Sequence, residues 1–309
     1  DVEHHQHSAG GGNVTVQTTA GFDAVQNGDI TIVTGFTYNR ANTLILNAAH
    51  DIIVNGAVTN NGAGGLTLTA SGTGTVNVAQ NLTTTGGTIS ITGGSGGVTL
   101  ANNKTIDAGS GQISINGGNA GVDFNSGGLQ TSNATASAIS ITNATTLALG
   151  DVNLSGGGTL TVSHSGSGIQ NAGTKIQGAG ASLIKQGGGV LDLSKANTYS
   201  GTTTITAGTL QTSANNVLAA GSSVVVNGGT FDIGNRDQSV NGVQLLNGSI
   251  IGTTGTLTSA TAFDMQAGAA GAILGGTAGL TKASAGTVVL TGANTYTGGT
   301  TISLGTLQI

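Results

Sequence analysis

Asn42–Gly94 reads NTLILNAAHDIIVNGAVTNNGAGGLTLTASGTGTVNVAQNLTTTGGTISITGG. Its apolar residues come in short apolar-x-apolar triplets, and the triplets recur at a fixed distance. One series starts at Leu44, Leu66, Ile89, Ile113, Ile139 and Leu160, with spacings of 22, 23, 24, 26 and 21. A second starts at Ile30, Ile52, Val76, Val98, Val122 and Leu147, with spacings of 22, 24, 22, 24 and 25. Side chains alternate across a strand, so the first and third residues of a triplet share one face. Those residues are Leu, Ile and Val, while Thr, Ser, Asn or Ile stand between them. Two interleaved series on one period predict stacked coils, each sending strands to fixed faces. The expected fold is all-β: a right-handed parallel β-helix of about 13 to 14 coils, with roughly 20–25 residues per coil and a length of roughly 65 Å.

Between the triplets lie the glycine clusters 62–65, 86–87, 93–97, 117–118, 127–128 and 156–158. A coil must turn corners, some at positive φ, which Gly and Asn adopt with least strain. Phosphate-cradling loops are excluded: Gly117–Gly121 and Gly178–Gly180 lack a strand–loop–helix setting and a Gly-Lys-Ser/Thr ending. Calcium-binding nonapeptides would need Gly-Gly-x-Gly-x-Asp, which does not occur. A leucine-rich repeat would need helix formers on its back face, and no segment holds a 3.6-residue period. Asn55, Asn77, Asn102 and Asn125 recur near corners, so internal amide ladders are expected among them.

Composition agrees. The 309 residues include 57 Gly, no Pro and no Cys, with 6% charged and 3% aromatic residues. So few aromatics suit a thin interior of Val, Ile, Leu and Ala. A net charge of −5 and seven scattered Lys/Arg give no basic footprint for nucleic acid. No apolar run is long enough for a membrane-spanning helix. The opening Asp1 reads as the start of a processed or excised segment, and the lack of Cys suits passage through an oxidising periplasm.

The chain divides into three. Residues 1–40 form a lead-in, where His4, His5 and His7 are a solvated tail with metal-ligand chemistry, followed by a capping or docking segment holding Phe22, Phe36 and Tyr38. Residues 41–182 are the regular coils. Residues 183–309 continue the solenoid and contain a duplication: Leu183–Gln211, LIKQGGGVLDLSKANTYSGTTTITAGTLQ, returns 97 residues later as Leu280–Gln308, LTKASAGTVVLTGANTYTGGTTISLGTLQ. Tyr199 and Tyr296 are expected at equivalent corners, ring over the core and hydroxyl in water.

Asn42–Gly94 resembles the repeats of filamentous-haemagglutinin-like exoproteins. The duplicated unit, at Lys185–Leu210 and Lys282–Leu307, resembles the passenger-associated transport repeat of autotransporters. That likeness implies a secreted β-helical protein of a Gram-negative surface, exported by a type V route through an outer-membrane translocator, whose repeat assists folding and export. Neither a secretion-domain motif nor a C-terminal membrane barrel is visible in the sequence.

Catalysis is not expected. A glycan-cleaving β-helix would need two carboxylates on one face. The eleven Asp and one Glu are spread singly. Asp107 and Asp123 fall on different faces; Asp232 and Asp237 flank Arg236; Asp29 and Asp51 stack at 22 residues, where a corner role is natural. His50 and Asp51, as strand neighbours, would point to opposite sides, and His164 between Ser163 and Ser165 has no acidic partner. No catalytic, cofactor or metal residues are assigned. The expected role is a surface stalk, adhesin or filament meeting host or neighbouring-cell glycans or proteins. One alternative is a head-to-tail fibre of a biofilm matrix, with identical subunits docking at Leu307–Ile309; another is a polysaccharide-active enzyme.

Overall fold

The computed structural model describes residues 5–6, 12–19 and 28–309. Phe22, His4 and His7 lie outside them, as does the side chain of His5. The described chain is a parallel β-solenoid of about 13 turns without a helix. Both triplet series pair as the spacing requires. Leu44 pairs with Leu66, Leu66 with Ile89, Ile89 with Ile113, Ile113 with Ile139, and Ile139 with Leu160. On the second face Ile30, Ile52, Val76, Val98, Val122 and Leu147 are likewise successive partners.

These two faces merge into one large sheet, because long strands such as Ile113–Asp123 and Ile139–Leu149 bend round the corner through a bulge. A seven-stranded sheet from Phe36–Tyr38 to Ile176–Gln177 forms the third face, and a three-stranded sheet follows from Gln238 to Gly275. Third-face pairing is thus interrupted across the first copy of the duplication.

The interior is one continuous column of aliphatic side chains, including Leu68, Ile91, Ile115 and Val162, all fully buried. Each contributes about 1.5–3 kcal/mol on burial. Corners use the left-handed conformation at Asn103, Asn119, Asn125, Asn143 and Asn216 as well as at many glycines.

The internal amide ladder is corrected. Asn55 and Asn77 are exposed, and Asn102 accepts the Ser126 N–H at the surface at 3.1 Å. Among the described residues the Asn125 side chain reaches a backbone carbonyl, that of Leu100, at 2.9 Å, and no stacked amide. The buried amides are instead Asn60, Gln170, Asn197 and Gln238. A buried carboxamide needs up to four partners, and corner backbone supplies them more completely than a stacked copy of itself would. At the N-terminal side, Phe36 and Tyr38 pack ring to ring at 5.9 Å, with Phe36 half-exposed. Burial pushes the Tyr38 hydroxyl up to about 12.

Candidate functional site

The duplicated unit places a buried lysine in the aliphatic column at the same position of each copy. Alternation in Ser182–Gln186 turns Leu183 and Lys185 inward, and Leu280 and Lys282 repeat the arrangement. Both lysines are fully buried. A buried ammonium must be hydrogen-bonded. Lys185 Nζ donates to the carbonyls of Gln186 at 2.7 Å, Gly187 at 2.9 Å and Ala207 at 3.4 Å. Lys282 Nζ donates to the Ser284 carbonyl, to Ser284 Oγ at 3.1 Å and to the Leu304 carbonyl at 3.2 Å. Ala207 and Leu304 occupy the same place in the two copies, one coil beyond each lysine. Burial lowers the Lys185 ammonium from 10.5 to about 8.

Asn197 is the second buried polar group. Its Oδ1 accepts the Ile176 N–H at 2.7 Å and Gln170 Nε2 at 2.7 Å. Its Nδ2 donates to the carbonyls of Lys195 and Val217, both at 3.0 Å. All four bonds of the carboxamide are made, and they tie together three coils. Gln238 extends the network: its Oε1 accepts the Val217 N–H at 3.1 Å. In the second copy Asn294 Oδ1 accepts the Leu274 N–H at 2.9 Å.

Tyr199 and Tyr296 do hold equivalent places: their hydroxyls meet Thr203 Oγ1 at 2.6 Å and Thr300 Oγ1 at 2.8 Å. The expectation of a wet hydroxyl is corrected for Tyr199, which is wholly buried. Desolvation raises its hydroxyl well above the ordinary tyrosine range. Tyr296 is half-buried, beside Phe263 at 6.1 Å.

Facing Lys185 from the preceding coil is His164, 2% exposed, with neither ring nitrogen hydrogen-bonded among the described residues. Its ring fills space left by Gly168 and Gly189, where an added Cβ would come within 2.9 and 2.5 Å of it. Burial, and secondly the charge of Lys185, lower the imidazole from 6.5 to about 4.

The carboxylates mostly tie coil to coil. Asp29 Oδ1 accepts the Asp51 N–H at 2.9 Å, Asp51 Oδ1 the Thr75 N–H at 2.7 Å, Asp151 Oδ1 the Lys175 N–H at 2.9 Å and Asp237 Oδ1 the Thr256 N–H at 2.9 Å. Asp232 takes the Gly234 N–H at 2.8 Å. Asp107 and Asp123 stand on different sheets. One expectation fails: His50 and Asp51 are in a corner between strands, so alternation does not separate them. His50 Nδ1 lies 3.0 Å from Asp29 Oδ1 and 3.4 Å from Asp51 Oδ2. Asp29, His50 and Asp51 have ligand atoms within 4.8 Å of one another, a spacing that would suit an ion. The bonds of both carboxylates to the next coil already account for their placement. The signal for this grouping was the 22-residue spacing; that for the lysines was an inward position in each triplet.

Residues 183–211 and 280–309 match the family model described as passenger-associated-transport-repeat. Comparison with curated proteins and with solved structures gives no match. The two matched segments contain both lysines, both asparagines and both tyrosines described above. The chain carries two passenger-associated transport repeats within one β-solenoid, which is consistent with an autotransporter passenger.

Proposed function

We propose that this chain is the non-catalytic shaft of a secreted passenger displayed at a bacterial cell surface. The observation that carries the reading is the repeat pair itself. Two copies, 97 residues apart, are built in register into one solenoid; each buries its lysine in a strand and sets the same asparagine and tyrosine at equivalent corners, buried in the first copy and partly buried in the second. Polar groups so placed fix which strand lies over which, a registry role that apolar side chains fill less well. A chain that folds during or after export needs such registry, because stacked coils of similar Val/Ile/Thr composition offer many near-equivalent pairings. The stiff rod then holds its long, nearly uncharged side faces away from the cell, where they meet glycans or proteins of other surfaces.

The test is protease shaving of intact cells expressing the full precursor. The shaft reading expects fragments of residues 42–309 in the supernatant; a chain protected until the cells are lysed would refute it. Negative-stain microscopy of the purified chain should show single short rods, whereas long polymers would replace the shaft by a fibre.

A further inference from the structure

On the third face, four consecutive coils present two outward columns. One is Thr105, Gly128, Asp151 and Lys175; the other is Asp107, Gln130, Asn153 and Gln177. A cleft of about 320 Å³ opens along them. Its cause is Gly128. Most corner glycines here are forced, because a Cβ would strike backbone. At Gly128 φ is not positive, and a Cβ would meet Asp151 Cβ at 3.7 Å and Thr105 Oγ1 at 3.9 Å, ordinary contacts. The backbone therefore does not require this glycine, and its missing side chain leaves the gap between Thr105 and Asp151.

The groups around the gap are free to bind. Gln130 donates to Asp107 at 3.1 Å, but the carboxamides of Asn153 and Gln177 have no partner among the described residues. Lys104 and Lys175 line the cleft, and neither ammonium is paired among the described residues. Two of the chain's seven cations thus stand at one cleft, against Asp151, in a protein of net charge −5. The coils are spaced about 4.8 Å apart, close to the rise of one ring in an extended pyranose chain. Amides repeating at that interval suit ring hydroxyls, and the lysines suit carboxylates.

We propose that this cleft binds an acidic, carboxylate-bearing oligosaccharide lying along the solenoid axis. Asn153 and Gln177 hydrogen-bond its hydroxyls, and Lys104 and Lys175 neutralise its carboxylates. Asp151 Oδ1 is held by the Lys175 N–H, so Oδ2 is the acceptor turned to a sugar hydroxyl. The source of such a glycan rests on the surface reading above; the binding chemistry does not.

The experiment is calorimetric titration of the purified chain with a tetrameric oligogalacturonate and with its fully methyl-esterified form. Binding is expected for the acid, weakened by added salt, and about tenfold weaker for the ester and for Lys104→Ala/Lys175→Ala. Gly128→Thr, which extends the Thr105 column and favours strand, should fold at least as stably and lose binding. No binding by the native chain, equal binding of the ester, or undiminished binding by Gly128→Thr would each overturn the proposal. Shaving of intact cells is unaffected by any of these results, so the two readings fail separately.

Discussion

Asn197 Oδ1 accepts the backbone N–H of Ile176, one coil back, at 2.7 Å. The same carboxamide donates to the Val217 carbonyl one coil forward at 3.0 Å. One side chain therefore spans three coils from inside. Removing it strands the buried Ile176 N–H and one of the two Gln170 Nε2 hydrogens, while the Val217 carbonyl keeps the Asn197 backbone N–H at 2.9 Å and Gln170 Nε2 keeps the Thr174 carbonyl. Each unsatisfied group costs about 1–3 kcal/mol. Asn197→Ala is expected to lower stability by about 3 kcal/mol or more. Asn294, with one inter-coil bond and partial exposure, should lose about 1 kcal/mol. Urea denaturation of both variants checks the order; an equal loss at the two positions would contradict it.

The tyrosines give a cleaner contrast, since only one oxygen changes. Tyr199→Phe leaves Thr203 Oγ1 without its partner in a fully buried site, for an expected loss of about 1–2 kcal/mol. Tyr296→Phe removes the same bond where solvent replaces it, and should stay within about 0.5 kcal/mol of the native chain. Melting temperatures of the pair measure this directly.

Gly208 and Gly305 end their copies' corners with φ of +64 and +80. A Cβ at Gly208 would lie 2.4 Å from the carbonyl oxygens of both Gly187 and Gly189. These are among the acceptors and neighbours of Lys185, so the corner cannot yield without disturbing the ammonium. Gly208→Ala is expected to cost about 3 kcal/mol, combining αL strain with the steric clash. Gly128→Ala, which meets no such contact, should change stability little. Similar midpoints for the two variants in chemical denaturation would sink this account.

The solenoid was legible because Leu, Ile and Val recur at a constant interval, and strand alternation converts that interval directly into register: Leu66 over Ile89, Val76 over Val98. The buried polar groups were harder to read. Lys185 stands in an inward slot of its triplet, yet a lone lysine in an apolar slot is indistinguishable on paper from a strand that has slipped. The carbonyls of Gln186 and Gly187, turned back at the adjoining corner, and that of Ala207 from the next coil make the slot habitable, and neither the corner geometry nor the coil contact shows in the triplet pattern. The corner pairing of His50 with Asp29 was hidden likewise, since whether Asp51 begins a strand or ends a turn depends on geometry beyond the triplet pattern. The cleft at Gly128 was masked by the abundance of glycine: one that opens space looks like dozens that turn corners.

His164 supplies a pH dependence whose sign follows from its burial. Its folded pKa lies near 4 against 6.5 when unfolded. Above pH 6.5 both states carry a neutral imidazole, and the contribution to stability is complete. As the pH falls from 6.5 towards 4, the unfolded chain takes up a proton that the folded chain refuses, so stability is lost through that window and levels off below it. The cause is first the desolvation of the buried ring and secondly the Lys185 ammonium in the next coil, only partly offset by the Gly166 backbone. His164→Leu keeps an apolar side chain in the gap beside Gly168 and Gly189 and removes the titration. Urea midpoints measured at steps between pH 7 and pH 4 should keep a constant offset from those of the variant above pH 6.5 and shift against the native chain as the pH falls towards 4. Parallel curves for the two proteins across this range would show that the imidazole is not the titrating group.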